Sequence, residues 1–216
     1  MKKKLSLADL QKTILDIYGI PDDQLYTVED LLYYGQKFAL ITIKKHEIKD
    51  TKKMMENFII SLAWFLALSN RYHFDLESIT WKRYSFKCPF CMEIPCICED
   101  KEEQKAMKTG RPSSRRPERI QAWQEMVKKI YPDEDTPELL MIFLRKTDDL
   151  SYSFRLFLKE KQIKYFKEIE IKSADYFILF LRIFNSMDAD LEKKFYPFFK
   201  KGCHVCCKTP CICNYY

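Results

Sequence analysis

The chain has 216 residues, of which 47% are hydrophobic and 15% aromatic, enough for a sizeable packed core, and its four glycines argue against a turn-rich all-β protein. The formal charge of +6 describes a mildly basic surface rather than the dense basic stripe of a nucleic-acid binder. Asp9, Gln11 and Lys12 break up the apolar stretch that an export signal would need after Met1-Lys2-Lys3-Lys4, and the longest uncharged apolar run, Phe58 to Leu68, is about half a membrane span. The expectation is a helical, cytoplasmic protein with no membrane contact.

Ser6 is placed to cap a first helix that carries Leu7, Leu10, Ile14, Ile17 and Tyr18 on one face and is ended by Gly19, Pro21 and two aspartates. Thr27 caps a second helix, to about His46, with Glu29 and Asp30 in the first turn, where the helix dipole favours acids. Asp50 and Thr51 open a third, Lys52 to about Tyr72, whose Phe58, Ile59, Leu62, Phe65 and Leu66 mark it as the central core helix. A short fourth helix runs from Asp75 through Tyr84. Residues 99–117, polar and containing Gly110, Pro112, Arg115 and Arg116, are expected to form a linker. A helix from Pro117 to Ile130 follows, then a long one capped by Thr136 with Pro137 in its first turn and ending near Glu160. The apolar stretch Tyr176 to Phe184 and the helix start Asp190-Leu191-Glu192 complete the series.

One short pattern occurs twice. Cys88, Cys91, Cys96 and Cys98 have the spacing C-x2-C-x4-C-x-C, and Cys203, Cys206, Cys211 and Cys213 repeat it 115 residues later. From Asp75 to Cys98, nine of 24 positions are identical to their counterparts at that offset, which identifies an internal duplication. In a reducing compartment such clusters are metal ligands rather than disulfides. Four thiolates leave no open position for water, so each cluster is expected to hold one structural zinc ion, with His204 and Cys207 outside the ligand set because Pro89 and Met92 stand at those places in the first cluster. Two such centres would each add about −2, leaving the loaded chain near +2.

The run from Glu56 to Asn70, followed by Phe74-Asp75-Leu76-Glu77, resembles the third and fourth helices of MazG-like proteins, the all-α nucleoside triphosphate pyrophosphohydrolases. The segment Trp81-Lys82-Arg83-Tyr84 before a cysteine cluster is similar to the tail of some members. The resemblance implies an all-α fold of two tandem MazG-like four-helix modules with pseudo-twofold symmetry, residues 1–98 and 118–216, each ending in a four-cysteine zinc knuckle. It also implies carboxylates in the patterns EExxE and ExxD that hold magnesium for hydrolysis. The matching places in the first half are Gln36, Lys37, Leu40, Asn57 and Ile60, none of them acidic. In the second half they are Arg145, Lys146, Asp149, Lys172 and Asp175, with Asp148 and Glu168 close by.

Three readings follow. The first is a catalytically degenerate subunit that binds a protein partner or senses a nucleotide, with Lys37, Arg145, Lys146 and Lys172 as anion contacts. The second is a magnesium-dependent pyrophosphohydrolase using Asp148, Asp149, Glu168 and Asp175. The third is nucleic-acid binding through the knuckles and the linker arginines, with Tyr84, Phe86, Phe90, Tyr215 and Tyr216 for stacking. In each, the chain is an intrachain pseudo-dimer able to form higher oligomers.

Overall fold

The computed structural model describes residues 5–98 and 115–213, which form eight α-helices and no strand. These are α1 (Leu7–Leu25), α2 (Val28–Glu47), α3 (Thr51–Arg71), α4 (Leu76–Tyr84), α5 (Ile120–Ile130), α6 (Thr136–Glu160), α7 (Ile163–Ser186) and α8 (Leu191–Phe199). Polar residues fix the starts. Ser6 and Thr27 form capping boxes with Asp9 and Asp30, and Asp50, Asp75 and Asp190 accept the amides of Lys53, Ser78 and Lys193. The linker expectation over 99–117 falls mostly outside the described residues. Arg115 and Arg116 lie within them, Arg115 paired with Glu118 and Arg116 with Glu77 at 3.1 Å.

Three helix ends differ from the sequence expectation, the first being α5, which starts at Ile120 rather than Pro117. Thr136 is the first residue of α6 and Asp135 is its cap, accepting the Glu138 amide, because the aspartate lies one residue nearer the turn. The largest difference is at α1, which continues through Gly19 and Pro21 to Leu25. Proline has no N–H, so the Ile17 carbonyl four residues back loses its intrahelical donor. The amide of Cys211 takes that place at 2.7 Å, and the buried Pro21 is thereby accommodated inside the helix.

The two halves share one core. α2 runs along α3 and α6 along α7, with α2 against α6 and α4 against α7 joining the halves. Phe58 of α3 meets Phe143, Phe180 and Phe184 at ring separations of 5.4, 4.9 and 5.2 Å, all four fully buried. Phe65 and Phe180, 115 residues apart in sequence, stack at 6.0 Å, and Gln36 donates to Ser151 at the same offset at 2.9 Å. Contacts between equivalent residues of two repeats place both pairs where the halves meet.

The halves also repeat one polar network. The Gln11 side chain donates to Asn70 Oδ1 and the Phe74 carbonyl and accepts the Leu76 amide, while Asn70 donates back to the Gln11 carbonyl. Gln124 does the same with Asn185, Ala189 and Leu191. Each glutamine thus ties the first helix of its half to the turn between the last two, which sets where the cysteine segment leaves the last helix.

Candidate metal centres

Both knuckles are built by the same short bonds. In the first, the Cys88 amide donates to the Glu93 carbonyl at 3.4 Å and the Met92 amide to the Cys88 carbonyl at 3.0 Å. In the second, the Cys203 amide reaches the Lys208 carbonyl at 3.0 Å and the Cys207 amide the Cys203 carbonyl at 2.8 Å. Gly202 makes the second turn feasible: its φ is +96°, and a Cβ there would lie 2.5 Å from the Lys208 carbonyl oxygen.

These loops gather the sulfurs of Cys88, Cys91, Cys96 and Cys98, and of Cys203, Cys206, Cys211 and Cys213, within 4.8 Å of one another in each group. Individual separations are 3.4–3.9 Å in the first group and 3.7–3.8 Å in the second, far beyond a disulfide bond, and all eight cysteines are free thiols. Each group could therefore hold one metal ion, and among the described residues no other set of three or more metal-ligating groups converges.

The local field favours thiolate in part of each set. Burial raises the Cys91 thiol, but the Glu93 and Ile97 amides outweigh it and bring it to about 7. The Ile212 amide brings Cys206 down to about 6. Burial pushes Cys96 up to about 11 and raises Cys98 and Cys213 further, so a cation must displace the remaining protons. His204 stays outside the second group, its Nδ1 lying 3.0 Å from the Tyr18 hydroxyl, and Cys207 is exposed.

Each knuckle docks on the opposite half. The Cys96 amide donates to the Ile130 carbonyl at the end of α5 (2.8 Å), as the Cys211 amide does to Ile17 of α1. The Tyr131 hydroxyl donates to Cys88 at 3.6 Å, and Tyr18 packs beside the second knuckle, its hydroxyl 3.0 Å from His204 Nδ1.

The remaining candidate residues are separately engaged. Asp175 is held by Arg83, whose second nitrogen lies at 2.8 Å, and by the Tyr84 hydroxyl at 2.7 Å. Glu168 pairs with Lys172 at 2.9 Å, Asp149 with Lys146 at 3.5 Å, and Asp148 with Arg155 at 3.8 Å. Lys37 lies over the Tyr34 ring, Lys172 also donates to Ser153 at 2.7 Å, and Arg145 stands on α6 with an engaged side chain. Tyr84 is buried, Phe90 lies beneath Arg83, and Phe86 is edge-on to Trp81, while Tyr215 and Tyr216 are outside the described residues.

The fold and these groups define an all-α protein with two four-cysteine knuckles that could each hold a metal ion, each docked across its halves. Comparison with family models, curated proteins and solved structures finds no match to the chain.

Sequence reasoning missed Asp22. It is 6% exposed although it stands among the residues that read as the end of the first helix, and among the described residues no hydrogen-bond donor reaches its carboxylate. Burial raises it to about 7, against the opposing pull of Arg71 and with a small addition from Asp23. The folded state therefore holds the Asp22 proton more tightly than the unfolded chain, so stability is lost as pH rises from about 4 to about 7. Asp22→Asn is expected to stabilise the protein increasingly over that window. Its advantage over wild type should grow by about 2 kcal/mol between about pH 5.5 and pH 8, some 4–8 °C in melting temperature, as read by parallel thermal melts.

Proposed function

We propose that the protein is a catalytically degenerate MazG-like tandem module, stapled by two structural zinc ions, that works by binding rather than by hydrolysis. Zinc fits the sulfur geometry: four thiolates at about 2.3 Å around one tetrahedral ion lie about 3.8 Å apart, close to the separations in both knuckles. An iron-sulfur cluster would distribute its thiolates over several irons and spread them wider.

The observation that carries the non-catalytic reading is the engagement of Asp175. The one acid left in the ExxD pattern is bound by a guanidinium and a phenol, which occupy the oxygens a magnesium ion would need. Asp148, Asp149 and Glu168 each face a separate cation and form no joint site with it. With Lys146 and Lys172 neutralised by those acids, a protein partner is favoured over a nucleotide phosphate.

The test is a panel of common NTPs and dNTPs on zinc-loaded protein with and without Mg2+. No pyrophosphate release is expected. Release that disappears in Asp175→Ala would overturn the reading, while thermal stabilisation by a nucleotide without turnover would assign a sensor rather than a protein-binding subunit.

A further inference from the structure

Beside the second knuckle lies a cavity of about 220 Å³, walled by Tyr18 of α1, Trp64 and Ala67 of α3, and Phe199 of α8, with Asp22 as its acidic group. The equivalent place beside the first knuckle is walled by Tyr131, Leu179, Arg182 and Tyr84 and has only about 50 Å³ of space. The repeat relates these walls residue by residue: Leu179, Arg182 and Tyr84 stand 115 positions from Trp64, Ala67 and Phe199, and Tyr131 stands 113 from Tyr18, the offset that also relates Gln124 to Gln11.

What fills the smaller place is a cation. The Arg182 guanidinium lies 4.4 Å from the centre of the Tyr131 ring and is paired with Glu134, its Nε at 2.8 Å from Oε2. A second pair there, Arg83 with Asp175, corresponds to Phe198 and Ile60 in the other half, so both of its charges have gone together. The Arg182 pair is gone as well: Ala67 stands for the arginine and, at the offset of 113, Pro21 for Glu134, yet the vacated place keeps an aromatic ring in Tyr18 and has a buried acid of its own in Asp22. Arg71 is not among the residues that wall the cavity: it acts on Asp22 as a nearby charge while donating to the Asp22 and Tyr26 carbonyls and pairing with Asp23 at 2.8 Å.

We propose that this cavity binds a small organic cation, a guanidinium or ammonium on a short apolar body, with Asp22 as counter-ion and Tyr18 and Trp64 as the aromatic walls. Aromatic faces attract such cations and the apolar lining suits their substituents. The volume lies below the usual range of about 300–1,000 Å³ for drug-sized ligands, which limits the occupant to a small metabolite. The site does not depend on the function proposed above, since neither hydrolysis nor a protein partner is needed for it.

The test uses full-length, zinc-loaded protein with ethylguanidinium and its neutral isostere N-ethylurea as probes, read by calorimetry and ligand-observed NMR. Wild type is expected to bind ethylguanidinium at least about tenfold more tightly than N-ethylurea, and Asp22→Asn to lose about tenfold or more. Ala67→Arg should place a guanidinium in the cavity beside Asp22, abolish binding and raise the melting temperature. Should that variant not fold, Ala67→Met fills the same space without a charge and should also abolish binding. Equal affinity for the two probes, no binding to wild type, unchanged affinity in Asp22→Asn, or binding that survives filling of the cavity would each overturn the proposal.

Discussion

Cys88→Ser and Cys203→Ser are each expected to halve the zinc content, from two ions per chain to one, and to lower the melting temperature by about 10 °C or more. Both sulfurs are almost completely buried, at 0% and 2% exposure for the whole residue, and each belongs to a segment with little apolar packing of its own. Metal binding by such a segment is folding free energy, and a chain of this size shifts by about 2–4 °C per kcal/mol. The loss should reach beyond the mutated loop because Cys88 receives Tyr131 and its knuckle caps α5, while the knuckle of Cys203 holds Tyr18 through His204 and completes α1. Metal analysis and calorimetry check both parts. Two zinc ions retained in either variant would show that the four-thiolate assignment is wrong.

Glu134→Ala is expected to cost about 3–5 kcal/mol, the usual penalty for stripping one partner from a buried ion pair. The side chains of Arg182 and Glu134 are 11% and 7% exposed, and without the acid the guanidinium would keep only the ring of Tyr131. Arg182→Ala in the same chain should recover part of the loss, because no uncompensated charge then remains buried, and a double-mutant cycle on chemical denaturation would measure the coupling. A single-mutant loss below about 1 kcal/mol would mean that water reaches the guanidinium and that the pair is a surface one.

The helical plan was legible because its signals are local. Ser6, Thr27, Asp50 and Asp75 stand where a side-chain oxygen must accept an amide, and the apolar spacing between them gives the faces that are buried. The cysteine groups were legible because all four members of each lie within eleven residues of one another. What the sequence hid depends on residues far apart along it. Pro21 reads as a terminator until an amide from position 211 occupies the Ile17 carbonyl. Asp175 reads as a surviving metal ligand until Arg83 and Tyr84 arrive from the other half. Ala67 has no signal of its own, and its meaning appears only against Arg182 at the equivalent place.

The crossed docking of the knuckles bears on how the chain is assembled. The backbone of α1 gains its last partner only when the C-terminal knuckle exists, and α5 is closed by a knuckle that precedes it in the chain. The Cys211 to Ile17 contact, between residues 194 apart, waits for nearly the whole chain and belongs to the later, slower steps of folding. A chain broken between residues 98 and 115 is expected to yield two fragments that complete each other, each carrying the knuckle that docks on the other, whereas either fragment alone would expose the helix end that its missing partner covers.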